Sequence, residues 1–318
     1  MIIIKMNIQR DDWFEQILGF NEKDFNYTLE EIPPSIRDKM GEFNTFSISE
    51  LKDKIKHLKK SIKKVNLVVK YRKSFDNMNS FDTSALQFDS EEGTLFQVAS
   101  NFNCIEIPRA EYNPFNGRFL TMQMLDCTQG PSASGGAAFG SILRLIKHKE
   151  ERINLLKDTP LIQHNGKVKY SENKNFKQFD SNQIRIGLHS NVESNFKRSN
   201  EFDYRENGVK INQVFTSTCI CSSNEPNELS KLLLHKAYEG TYLAGIITKA
   251  PRIVLTLIGG GVFNNSIKLI SETIMKIHEK YSSYLSKDCV VELPIFEPNP
   301  SYTLNCFKGY ENVEFKSI

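Results

Sequence analysis

The sequence predicts an α/β fold: a mixed, mostly parallel sheet between helices, with an N-terminal extension. Three observations predict it. Ile253–Ile258 is an apolar run, interrupted only by Thr256, that leads straight into Gly259, Gly260 and Gly261. Ile267, Ile270, Ile274, Ile277 and Tyr281 then follow at helical spacing. Leu95–Ala99 is a second apolar run, of the kind a strand buried on both faces shows, and the back half of the chain alternates helix and strand, the pattern of crossover connections.

Residues 1–90 read as an extension of helical and mixed character. Asp11 or Asp12 caps a short helix through Trp13, Phe14, Ile17 and Leu18, and Gly19 ends it. Pro33-Pro34 breaks the chain. Ser47 or Ser49 caps a second helix carrying Leu51, Ile55, Leu58 and Ile62 on one face. The basic run His57–Lys64 falls on that helix as its solvated side. Val65–Tyr71 reads as a strand and Asp76–Glu92 as a polar loop.

The main domain spans residues 91–318. Thr128–Ala137 opens a helix through Ile142, Leu145 and Ile146. An Asn-, Lys- and Ser-rich stretch near 150–210 reads as an irregular insertion, after which Val214–Cys219 resumes as a strand. Glu228–Tyr238 reads as a helix, with Pro226 suiting its first turn and Gly240 its end. Cys289–Phe296 is the last strand expected.

The chain has 318 residues, 39% hydrophobic and 25% charged, a globular composition. A net charge of +3 argues against nucleic acid as a partner. No stretch approaches the roughly 20 apolar residues of a membrane span. The start Met1–Lys5 is too short for a secretory signal, so the six cysteines imply a reduced, cytoplasmic setting. Cys219-Ile220-Cys221 is too closely spaced for a zinc knuckle, and no cofactor or metal is expected.

Three segments carry chemistry. Gly259, Gly260, Gly261, Val262, Phe263 and Asn264 join a buried strand to a helix. Glycines there let backbone N–H groups approach an anion at a helix N-terminus, although a tight structural turn has the same composition. The pattern is neither a P-loop nor the dinucleotide fingerprint. The second segment, Asp126-Cys127-Thr128-Gln129-Gly130, runs into Ser134-Gly135-Gly136 and again opens a helix with small residues. Two such loops can grip a diphosphate. The third, Gln97 with Asn101 and Asn103, puts amides after a buried strand, either to bond sugar hydroxyls or to cap their own turn.

In this order the segments resemble the macrodomain family, and within it the poly(ADP-ribose) glycohydrolase-like branch. Phe96–Asn103 matches the strand that ends in asparagines, Gln129–Gly140 the first glycine loop, and Arg252–Phe263 the late strand and second glycine loop. The likeness covers residues 90–285. It departs from the branch at Gln97, at the spacing of Asn101, and after Gly136, where the tandem glutamates are absent.

The resemblance implies ADP-ribose as ligand and ADP-ribosylated proteins as partners. It implies either hydrolysis of the bond to the modified protein or non-catalytic reading of the mark. For hydrolysis it gives Asp126 the water-activating role, Asn101 and Asn103 the orientation of the distal ribose, and Phe263 a contact to that sugar. Gln97, Thr128, Gln129, Gly130, Ser134, Gly135, Gly136 and the residues Gly259 to Asn264 would line the ligand. On this reading Gly260→Val puts a side chain where the phosphate sits. A third class, a hydrolase using Cys127 beside His189 or His235, competes with the commoner inert buried cysteine.

Overall fold

In the computed structural model, which describes residues 12–62, 64–72, 82–106, 114–123, 135–176, 178–198, 202–223, 226–297 and 300–318, helices and strands alternate along most of the chain. The strands are β1 (Glu42–Ser47), β2 (Leu67–Tyr71), β3 (Leu95–Ala99), β4 (Val168–Lys169), β5 (Arg185–Arg198), β6 (Phe202–Thr216), β7 (Cys219–Ile220), β8 (Arg252–Val254), β9 (Val290–Ile295) and β10 (Val313–Ser317). The helices are α1 (Trp13–Leu18), α2 (Pro34–Arg37), α3 (Ile48–Ile55), α4 (Thr83–Phe88), α5 (Phe119–Gln123), α6 (Ala138–Glu151), α7 (Glu228–Ile247), α8 (Ile267–Tyr281) and α9 (Ser301–Phe307).

An eight-stranded sheet runs in the order β1-β5-β6-β3-β8-β9-β2-β10. Every pairing from β6 to β10 is parallel, and β1-β5 and β5-β6 are antiparallel. This is the mixed, mostly parallel sheet that the apolar runs predict. Side chains alternate between the faces of each strand. Leu95, Val214 and Ile253 pack with Tyr238, Ile270 and Ile274 of α7 and α8 on one face. Val98 and Phe215 pack with Phe139 and Ile142 of α6 on the other, together with Trp13 and Phe14. Trp13 meets Phe196 edge-on at 5.3 Å, so aromatic contacts dock α1 on the sheet.

Several expectations are corrected. Residues 1–90 do not stand apart, because β1 pairs with β5 and β2 lies between β9 and β10. The stretch near 150–210 holds β5 and β6, the two longest strands, not an irregular insertion. Its alternation is masked by the buried polar residues His189, Ser194 and Asn195 and by register shifts after His189 and Ser194. Within the polar stretch before Gly93, Asp82 caps α4 by accepting from the Ser84 N–H.

Ser47 does form a capping box with Glu50, but α3 stops at Ile55. Leu58 and Ile62 are exposed, and the described residues of the basic run lie outside the helix; repulsion among its lysines favours that. Helix α7 continues through Gly240 to Ile247. A Cβ at Gly240 would meet Ile186 at 2.4 Å, so this glycine serves close packing against β5. Strand β8 is shorter than its apolar run, and β10 follows β9 as a further strand.

The polar core has a consequence for acid stability. Arg144 is buried on α6, its guanidinium 4.0 Å from the Phe215 ring centre. It donates to the Cys104 carbonyl at 3.1 Å, to Ser141 Oγ at 2.9 Å and to His189 Nδ1 at 3.1 Å. His189 Nε2 donates in turn to the Met40 carbonyl at 2.6 Å, which fixes the neutral tautomer. Burial, then the Arg144 charge, pushes the His189 pKa down to about 3. Burial pushes His278, bonded to Tyr242 Oη, down to about 4.

Both values lie below the ~6.5 of an unfolded histidine. Their contribution is therefore complete above pH ~6.5 and is lost as pH falls toward the folded values. We predict a flat Tm from pH 8 to 7 and a steady fall below pH 6.5, a loss on the order of 5 kcal/mol by pH 4.5, where two histidines are each about two pH units below their unfolded pKa. His189→Gln, which keeps a donor and an acceptor, should flatten the slope. A Tm unchanged between pH 7 and 5 would contradict neutral burial.

Candidate functional site

Strands β6, β3 and β8 are neighbours and parallel, so their carboxyl ends open on one edge of the sheet. Three segments leave from that edge: Ser217–Cys221, Ser100–Glu106 and Leu255–Ser266. In open α/β sheets ligands collect there.

The glycine loop after β8 is held from beneath. Tyr238 Oη donates to the Thr256 carbonyl at 2.7 Å and accepts from the Ile258 N–H at 3.1 Å. Gln97 Oε1 accepts from the Thr256 N–H at 3.1 Å, and its Nε2 donates to Thr241 Oγ1 at 2.7 Å. Gln97, expected to line the ligand, is thus a buried brace between β3, α7 and this loop. Asn265 closes the loop. Its Nδ2 donates to the carbonyls of Cys219 at 2.9 Å, Phe263 at 3.2 Å and Gly259 at 3.3 Å.

Gly259 has φ 73°, and a Cβ there would lie 2.4 Å from Thr218 Cγ2. This position requires glycine on both counts. Asn264 also takes the left-handed conformation, φ 56°, and its N–H returns to the Gly261 carbonyl at 2.9 Å.

The backbone N–H groups of Gly259, Gly261, Val262 and Phe263 donate to no acceptor among the described residues. Gly261 and Val262 are exposed. Helix α8 begins at Ile267, capped by Ser266, whose side chain accepts from the Leu269 N–H. A turn of N–H groups without acceptors among the described residues, ahead of a 15-residue helix, is a positive, preorganised surface suited to an anion.

The amides after β3 are turned into their own loop. Asn101 Nδ2 donates to the Ile105 carbonyl at 2.9 Å. Asn103 Oδ1 accepts from the Ile105 N–H at 3.1 Å, and its Nδ2 reaches the Asn165 carbonyl at 3.4 Å. Both side chains are buried and bond within their own turn. Glu106, further along the same segment, is also buried, close enough to Arg144 to favour its charge.

Of the first glycine loop, Asp126, Cys127, Thr128, Gln129, Gly130 and Ser134 lie outside the described residues. Gly135 and Gly136 are buried; a Cβ on Gly136 would meet Gln87 Oε1 at 2.4 Å and Ser84 Cα at 3.2 Å. Close approach to α4 accounts for this glycine. His189, offered as a partner for Cys127, has both ring nitrogens committed to Arg144 and Met40. His235 sits on α7 near the buried Glu239, which Lys236, Lys280 and Tyr281 hold at 2.7 to 2.9 Å.

Sequence reasoning missed Thr218, Cys219 and Cys221 as parts of the site, and it placed Asn265 at the end of the glycine loop without its closing role. Cys221 donates its N–H to the Phe263 carbonyl at 2.9 Å, and its Sγ lies 3.7 Å from that of Cys219. Only the Cys-x-Cys spacing and the second asparagine after the glycines marked them in the sequence.

No protein-family model matches the chain, and comparison with curated proteins finds no match. Solved structures do match. Poly(ADP-ribose) glycohydrolase from Thermomonospora curvata superposes with a TM-score of 0.54 at 11% identity, covering 95% of this chain and 97% of that one. The enzyme of the same organism bound to the inhibitor ADP-HPD gives 0.51 at 10% identity, again over 95% and 97%. The chain therefore has the macrodomain-like α/β fold of bacterial poly(ADP-ribose) glycohydrolases.

Proposed function

We propose that this chain binds ADP-ribose across the carboxyl ends of β6, β3 and β8 and hydrolyses ADP-ribosyl linkages at the anomeric carbon of the distal ribose, releasing ADP-ribose from modified protein. The observation that carries the reading is the row of N–H groups at Gly259, Gly261, Val262 and Phe263, without acceptors among the described residues and placed ahead of α8. A diphosphate is an anion of matching size and charge, and charge-assisted bonds to it are worth more than neutral ones. The shared fold with an enzyme solved in complex with ADP-HPD supports the same ligand class.

Hydrolysis proceeds through an oxocarbenium-like transition state. Water attacks the anomeric carbon while the bond to the leaving group breaks. A carboxylate takes the water's proton, and that proton passes on to the departing side chain, which leaves protonated. Asp126 is the residue we assign to that carboxylate. The missing tandem glutamates after Gly136 favour protein-linked ADP-ribose over polymer as substrate.

Calorimetric titration with ADP-ribose and AMP tests the binding half. AMP lacks the second phosphate and the distal ribose. Two lost charge-assisted hydrogen bonds, at ~1.5 kcal/mol or more each, predict roughly 100-fold weaker binding. Equal affinities for the two ligands would overturn the assignment of the loop.

A further inference from the structure

We propose that Cys219 and Cys221 form a modification site, in which a peroxide converts the two thiols to an intramolecular disulfide and thereby loosens the hold of the adjacent glycine loop on a diphosphate. The inference rests on the reading of Gly259–Asn265 as the diphosphate loop. Its test separates the two.

The sulfurs lie 3.7 Å apart and both residues are buried. Closing this gap to a bond of about 2.05 Å draws the sulfurs together by roughly 1.7 Å and the Cβ atoms to ~3.5–4.5 Å, which flexes the backbone through Ile220. Cys289 and Cys104, the other deeply buried thiols described, have no such partner sulfur among the described residues.

The two thiols are not equivalent. The Cys219 S–H favours the thiolate of Cys221, as does the Asn227 Nδ2–H at 3.3 Å, and together they outweigh burial. The same hydrogen bond and burial keep Cys219 protonated. Cys221 is thus the sulfur set to attack, and it is followed by the exposed Ser222 and Ser223. In the first step the Cys221 thiolate attacks the peroxide oxygen. An S–O bond forms, the O–O bond breaks, and the released hydroxide takes a proton. In the second step the Cys219 sulfur attacks the resulting sulfenic acid. The S–S bond forms, and hydroxide leaves as water with the Cys219 proton. Two thiols and one hydrogen peroxide give one disulfide and two waters.

The link to the loop is direct. The Cys219 carbonyl accepts from Asn265 Nδ2, Cys221 Sγ faces Asn265 Oδ1 at 3.8 Å, and the Cys221 N–H holds the Phe263 carbonyl. Drawing Cys221 Sγ toward Cys219 removes it from Asn227 and Asn265, the side chain that closes the Gly259 turn.

The full chain is treated with hydrogen peroxide and then mapped by peptide mass spectrometry. Calorimetry with ADP-ribose and hydrogen exchange over residues 256–266 are run before and after oxidation. The expected result is a Cys219–Cys221 disulfide, faster exchange in the loop and at least tenfold weaker ADP-ribose binding, all reversed by dithiothreitol. Cys219→Ser and Cys221→Ser, each compared with itself before and after peroxide, should show no reversible change in loop exchange. Failure to find the disulfide overturns the proposal, as does a disulfide that leaves loop exchange unchanged. If the reduced protein does not bind ADP-ribose, the diphosphate reading fails, and loop exchange still decides whether the pair acts on the loop.

Discussion

Gly261→Val is expected to weaken ADP-ribose binding by roughly 100-fold, the cost of blocking two charge-assisted contacts, while leaving Tm within about two degrees of wild type. A Cβ at Gly261 meets nothing within 4 Å, so a branched side chain there fills open space over the loop rather than the protein's own packing. Gly261 lies in the exposed stretch of the loop whose N–H groups are proposed to meet the diphosphate. The neighbouring glycines behave differently. A Cβ at Gly260 would lie 2.7 Å from Ile267 Cδ1 and 3.3 Å from Ile270 Cδ1. The expectation that Gly260→Val reaches the phosphate is therefore corrected: that side chain pushes on the first turns of α8. Gly259→Ala combines a left-handed φ of 73° with contact on Thr218 and Asn265, and should cost on the order of 1–3 kcal/mol of stability. Calorimetry and thermal melts on the three variants separate ligand blockage from loop damage. Wild-type affinity in Gly261→Val would show that the loop is not where the diphosphate sits.

What the sequence made legible was what local chemistry dictates. An apolar run, a glycine turn and a 3.6-period stripe put Gly259–Asn264 between β8 and α8, and Gly19 ended α1 in the left-handed conformation. What it hid depends on partners far along the chain. Strands β5 and β6 bury His189, Asn195 and Gln213, so their pattern does not alternate cleanly. Gly240 reads as a helix stop until Ile186 and Ile48 are placed against it. Gln97, Asn101 and Asn103 are the same amides whether they face a sugar or a carbonyl, and only the positions of Thr241, Thr256, Ile105 and Asn165 decide. Asn265 organises the glycine loop through Cys219, a contact that spacing along the chain does not reveal.

Asp126→Asn is expected to retain ADP-ribose binding and to lower release of ADP-ribose from modified protein by roughly 100-fold or more, the scale for losing a general base. The motivation is placement along the chain together with electrostatics. Gln123, at the end of α5, donates to the Glu106 carbonyl at 3.0 Å, so the chain entering the first glycine loop is tied to the segment leaving β3. A carboxylate close to a diphosphate opposes ground-state binding. Its use lies in the transition state, where positive charge develops at the anomeric carbon and water must lose a proton. An interaction confined to the transition state appears in turnover rather than in affinity. Asparagine removes the charge at nearly constant shape, so affinity should hold or improve. Glu106→Gln is the control, since it disturbs the buried Arg144 charge and should lower Tm as well as turnover. Asn103→Ala should likewise cost stability, because that side chain caps its own turn. The assay follows ADP-ribose released from a panel of mono-ADP-ribosylated proteins, beside calorimetric affinities and melts. Unchanged turnover in Asp126→Asn would remove Asp126 from the chemistry. Binding without turnover in the wild type would make the chain a reader of the mark.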